Sequence, residues 1–162
     1  MAKKKKTAKK PSRPNARPKA RAAKAAQKDR RVNPRETLRV RAIEPSFMVN
    51  DLARSVEFYR SALGFVVDDE YKGPDGRVQG VMLKAGTCRL GLSQDDWAKG
   101  RDRQKGVGVR VWCTTVQDID ALAGRIRAAG HALAEEPKDQ PWGGRTLAID
   151  DPDGFHITVY RQ

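Results

Sequence analysis

Two stretches of this sequence follow one grammar. The first has Val49 closing an alternating run, then Asp51, then apolar residues at Leu52, Val56, Tyr59 and Leu63 before Gly64. Displaced by 67 residues, Val49, Asp51, Leu52 and Tyr59 fall on Val116, Asp118, Ile119 and Ile126, with Gly130 as the next stop. A duplicated supersecondary unit cannot bury its apolar face alone, so the two copies are expected to pair into one core. The fold must therefore be built from two similar modules.

Each copy reads as β-α-β-β-β. In the first, Val40 to Val49 is a strand, and Asp51 caps a helix running to Leu63. Spacings of four, three and four give that helix a single apolar stripe. Strands follow at Phe65–Tyr71, Arg77–Lys84 and Thr87–Ser93, separated by Gly73-Pro74-Asp75-Gly76 and Ala85-Gly86. The polar stretch Gln94 to Lys105 links the modules. In the second, Val107–Thr115 is a strand, and Asp118 caps a helix with Ile119, Leu122, Ile126 and Ala129 on one face. Strands then come at His131–Glu135, Arg145–Asp150 and, after Asp151-Pro152-Asp153-Gly154, Phe155–Tyr160.

The charge is carried elsewhere. The chain has a formal net charge of +13, yet residues 1–41 hold 17 Lys and Arg against Asp29 and Glu36. The remaining residues hold 16 basic and 18 acidic side chains. No large apolar residue occurs between Met1 and Val32, and Pro11, Pro14, Pro18 and Pro34 interrupt any helix. Such a segment cannot offset the entropy of ordering it, so residues 1–41 are expected to be a disordered basic tail. Its cations are Lys3, Lys4, Lys5, Lys6, Lys9, Lys10, Arg13, Arg17, Lys19, Arg21, Lys24, Lys28, Arg30 and Arg31. They suit non-specific binding of DNA or RNA by release of condensed counterions. Without an aromatic residue among them, base stacking is excluded. No apolar run is long enough to span a bilayer, and no secretory core follows the basic start. Two cysteines, Cys88 and Cys113, are too few for a disulfide scaffold and are read as small core residues. A cytoplasmic setting is expected.

VNDLARSVEFYRSALGF (49–65), VQDIDAL (116–122), PWGGR (141–145) and DPDGFHITVY (151–160), taken in this order, resemble the vicinal oxygen chelate superfamily. That superfamily includes glyoxalase I, extradiol dioxygenases, fosfomycin-resistance enzymes and bleomycin-binding proteins. The resemblance covers residues 42–162 and implies modules 42–98 and 106–162. It implies an α+β fold in which two βαβββ modules form one eight-stranded, cup-shaped mixed sheet with helices on the outer face. By the same analogy a homodimer is expected, with pockets completed by two chains.

Strand alternation assigns the faces. Phe155, Ile157 and Val159 should pack beneath the helices, leaving His156, Thr158 and Tyr160 toward the ligand. Glu44, Ser46 and Met48 share that side in the first strand, as do Arg89, Gly91 and Ser93 in the fourth. In Val107–Thr115 the valines mark the core, and Arg110, Trp112 and Thr114 the ligand side.

Metal-using relatives take a His, Gln or Glu ligand from the first and last strand of each module. Glu44 stands at the first such position, but Thr158 stands where relatives with the DPDG turn carry glutamate. Arg89 or Gly91 and residues 108–111 occupy the other two. No metal site and no cofactor are therefore expected. The ligand-binding candidates are Glu44, Arg89, Arg110, Trp112, Trp142, His156, Thr158 and Tyr160. They suit an aromatic or anionic small molecule held without metal, and no catalytic residue is assigned. Two alternatives stand beside this one. The first is a metal-dependent lyase, epimerase or dioxygenase with an atypical site around Glu44 and His156. The second is a nucleic-acid-associated protein acting mainly through its tail.

Overall fold

The computed structural model describes residues 40–162. All but the last two residues of the expected tail lie outside them. The described elements run β1 (Ser46–Val49), α1 (Leu52–Leu63), β2 (Val66–Lys72), β3 (Val78–Ala85), β4 (Cys88–Gln94), β5 (Arg110–Thr114), α2 (Ile119–Ala128), β6 (Glu135–Asp139), β7 (Arg145–Asp150) and β8 (His156–Arg161). This is the β-α-β-β-β order, twice. The strands make two four-stranded sheets, β1-β4-β3-β2 and β5-β8-β7-β6, where one eight-stranded sheet was expected. In each, the first strand pairs in parallel with the last, and the other neighbours are antiparallel. Among the described residues no helix is long and apolar enough to cross a membrane.

Local chemistry sets the helix ends. The Asp51 carboxylate accepts the Arg54 N–H at 3.0 Å, and Asp118 accepts that of Ala121 at 2.8 Å. Each satisfies a donor that the first turn leaves unpaired. α1 closes at Gly64 and α2 at Ala129, with Gly130 in the left-handed region just beyond. The buried side of α1 comprises Leu52, Ser55, Phe58, Tyr59 and Ala62, while Val56 and Leu63 lie at its margin. The stripe is rotated toward Ser55 and Phe58 because that side meets the second module.

One apolar core gathers both modules. Phe47 and Val49 of β1, Val81 and Leu83 of β3, and Leu90 and Leu92 of β4 join Ile119, Leu122 and Ile126 of α2 in it. Leu147 and Ile149 of β7 and Phe155, Ile157 and Val159 complete it, so the face assignment of β8 holds. The Phe47 and Phe155 rings stack at 4.0 Å, tying the two copies together.

The Asp151–Gly154 turn is pinned from both sides. Tyr59 Oη donates to Asp151 Oδ2 at 3.1 Å, and the Asp153 carboxylate accepts the Asn50 N–H and the Ser55 hydroxyl. Gly106 lies against this turn: at φ 71° it has no Cβ, and one there would overlap the Gly154 carbonyl.

Four expectations need correction. Val49 is fully buried but Val116 is 94% exposed, so the 67-residue displacement holds for the helices and fails at the strand. Two more residues separate strand end from cap in the second module, where the Thr115 hydroxyl accepts the Gln117 N–H and turns the chain outward. The strand expected at His131–Glu135 lies instead at Glu135–Asp139. Val107 and Val109 are exposed, and Val111 and Cys113 supply the core side of β5. Cys88 is exposed at the start of β4, whereas Cys113 packs on the core.

Candidate functional site

Each sheet buries one face and leaves the other open. Pairing across strands places side chains in rows on these open faces, because paired residues project to the same side.

On the second sheet the rows are well defined. Arg110 pairs with His156, and His156 with Asp150. Two residues further, Trp112 pairs with Thr158, Thr158 with Ala148, and Ala148 with Glu135. The third row is Thr114, Tyr160, Thr146 and Lys138. Thr158 and Ala148 are small and buried, so they form a floor between Trp112, 55% exposed, and Glu135. The Trp112 and Tyr160 rings meet edge-on at 6.4 Å. Gly144, at φ 79°, lies under Tyr160, where a Cβ would strike the ring. This brings the loop carrying Trp142 against the third row, with Trp142 itself 67% exposed.

Electrostatics concentrate in the first row. His156 Nδ1 lies 2.6 Å from Asp150 Oδ1. The Glu135 carboxyl is held below its ordinary range, first by the Lys138 ammonium bonded to it and then by His156 and Arg110. Arg110 enters no ion pair among the described residues and is exposed.

The first sheet differs. Its open face carries Ser46, Gly91, Met82 and Asp69 in one row and Met48, Ser93, Gly80 and Tyr71 in the next. Arg89 lies at its edge, 2.9 Å from Asp68 and 3.7 Å from Glu44. Its charge is already matched by two carboxylates. The structure thus brings Arg110, Trp112, His156, Thr158 and Tyr160 together on one sheet, and Glu44 with Arg89 on the other.

A divalent ion would need several oxygen or imidazole donors converging on one point. Glu44 faces Arg89, Thr158 offers only a hydroxyl, and no group of three His, Cys, Asp or Glu side chains converges among the described residues. These donors do not fit a metal.

Sequence reasoning missed Glu135, Asp150 and Asp68. Asp150 was legible, since a hairpin closing over Asp151–Gly154 sets Asp150 opposite His156. Glu135 was not, because β6 was displaced by its lack of apolar alternation.

Residues 41–159 match the family described as the glyoxalase/bleomycin resistance protein/dioxygenase superfamily. An uncharacterized protein of Mycobacterium tuberculosis is 30% identical over 124 residues, which are 73% of this chain and 72% of that protein. A probable lactoylglutathione lyase of Vibrio cholerae is 28% identical over 131 residues, 74% of this chain and 88% of that one. Among solved structures, TioX from Micromonospora sp. ML1 superposes with a TM-score of 0.60 at 20% identity, covering 74% of this chain and 96% of TioX. That likeness is one of fold.

Proposed function

The chain belongs to the glyoxalase/bleomycin resistance protein/dioxygenase superfamily, and on that premise we propose that it binds a small aromatic anion without metal on the open face of its second sheet. The observation that carries this reading is Arg110, an exposed cation without a carboxylate partner among the described residues, two residues along β5 from the exposed ring of Trp112 and on the same face. Trp112 supplies a face for stacking and Arg110 a planar fork for a carboxylate. His156, Thr158 and Tyr160 add hydrogen-bonding groups, and we assign Trp142, exposed on the neighbouring loop, the role of covering a bound ring. Glu44 and Arg89 form a second, self-neutralised contact surface on the first sheet.

In this reading the protein is a cytoplasmic homodimer. The open faces expose Met48, Val66 and Tyr71 on one sheet and Trp112 on the other, and a second copy would shield them. Residues 1–41 form a basic tail that binds nucleic acid without sequence preference, in keeping with their 17 cations. Mass spectrometry of the natively purified protein tests the central claim. An aromatic carboxylate should co-purify with the wild-type chain and be lost from Arg110→Gln. A molecule that Arg110→Gln retains refutes it.

A further inference from the structure

The first row of the second sheet offers more than binding. His156 lies between Arg110 on β5 and Asp150 on β7, and its Nδ1 is engaged by Asp150 at 2.6 Å. That bond fixes the ring and leaves Nε2, which has no hydrogen-bond partner among the described residues, as the basic nitrogen. The side chain is 21% exposed, so a bound molecule can reach it. The charged groups facing it are Arg110, Asp150 and Glu135. The Arg110 guanidinium is the cation in this row that could receive negative charge on a substrate.

We infer that His156 is a general base that enolises a 2-oxo acid bearing an aryl tail, with Asp150 as its positioning residue. This rests on the binding reading above. The planar Arg110 guanidinium matches the carboxylate and the adjacent keto oxygen of such an acid. Trp112 lies two residues along the same strand, about 6.6 Å away at ~3.3 Å per residue, within range of a ring beyond the reacting carbon. His156 is one strand over, about 4.8 Å from Arg110 between backbones, beside the carbon next to the keto group.

The step balances without any other reactant. The C3–H bond breaks and its proton passes to His156 Nε2. The electron pair forms the C2–C3 double bond, and the charge moves to the keto oxygen beside Arg110. The reverse step returns a proton that has exchanged with water, so the net result is isotope exchange or inversion at C3.

The test uses the full-length protein and 2-oxo-4-phenylbutanoate in deuterium oxide. Proton NMR follows loss of the C3 hydrogens above the buffer background, and calorimetry measures binding. The expected result is catalysed exchange that falls at least about a hundredfold in His156→Gln, the scale of general base catalysis, with exchange read at saturating probe so that any loss of affinity is separated from loss of the base. Asp150→Asn should lower exchange about tenfold or more without weakening binding, and free imidazole should restore exchange to His156→Ala. Binding without catalysed exchange, or exchange that survives His156→Gln, overturns the base and leaves the binding reading intact. Failure to bind the probe overturns both.

Discussion

Tyr59→Phe isolates a single interaction that joins the two modules. The Tyr59 ring is fully buried, with Phe58 and Phe65 edge-on at 5.3 and 5.7 Å, and phenylalanine preserves that packing. What is lost is the hydroxyl donating to Asp151 Oδ2 at 3.1 Å. Asp151 keeps the N–H groups of Asp153 and Phe155 on its other oxygen, at 2.9 and 2.8 Å. A hydrogen bond to a charged group contributes about 1.5–3 kcal/mol, and the two surviving donors favour the lower half. A loss of about 2 kcal/mol is expected, or roughly 6–10 °C in Tm for a domain of this size.

The pH dependence follows from Asp151. Burial raises its carboxyl above the ordinary value of 3.8, and the backbone N–H groups and Tyr59 offset that only in part. The folded state therefore holds the proton more firmly than the unfolded chain. The stability this group contributes is fully present below 3.8 and is lost as pH rises through the raised value. Removing the Tyr59 donor raises the carboxyl further, so the variant's deficit should be largest near neutrality and shrink on acidification. Urea denaturation of both proteins across the acid range reads this directly. A deficit under about 0.5 kcal/mol at neutral pH, or one that grows as pH falls, refutes the argument.

Other perturbations test separate parts. Asp95 is buried against Lys105 at 2.6 Å and Arg103 at 2.8 Å, and the Lys105 ammonium leads in holding its carboxyl at about 2. Its stabilising contribution is present above 3.8 and disappears as pH falls toward 2, so Lys105→Met should flatten the acid limb of a stability–pH curve. Gly106→Ala should cost more than about 2 kcal/mol by denaturant unfolding, since the left-handed backbone alone costs 1–2 and the Gly154 carbonyl blocks the methyl. Trp112→Ala should weaken the bound small molecule by about 1–3 kcal/mol in calorimetry, the range for stacking on one aromatic ring. In gel shifts the full chain should retard unrelated DNA at low salt and release it at high salt, and a chain beginning at Val40 should not shift it.

How much was legible depends on where a strand lies in its sheet. β8 is central, and its alternation sets Phe155, Ile157 and Val159 in the core and His156, Thr158 and Tyr160 on the opposite face, where the small Thr158 is itself covered. The caps Asp51 and Asp118 were equally plain, because a carboxylate there answers a specific unpaired N–H. The edge strands were harder. β6 reads EEPKD, with no apolar residue and a proline that only an edge strand tolerates, so its place is decided by pairing with β7. β2 is exposed along its whole length and contains a bulge near Asp68, which let that carboxylate reach Arg89. An ion pair across strands and a bulge carries no local pattern, so the neutralisation of Arg89 could not be foreseen.

The two modules share an architecture and differ in what their open faces can do. In the first, Arg89 sits between Asp68 and Glu44, so an incoming anion would have to displace a carboxylate. In the second, the corresponding end of the sheet carries the hairpin that joins β7 to β8, and Arg110 there enters no ion pair among the described residues. Its turn, Asp151–Gly154, is held by Tyr59, Ser55 and Asn50 of the first module. Asp150 and His156 are the residues immediately flanking that segment and Phe155, so their spacing is set by a turn that can move little without breaking contacts between modules. The pairing of the copies thus stabilises the fold and also fixes one imidazole against one carboxylate beside an exposed arginine. Loosening the turn should therefore disturb the Asp150–His156 geometry even though none of the pinning residues lies on the open face. Tyr59→Phe provides the check: His156 side-chain NMR resonances should shift, while those of Arg89 stay unchanged.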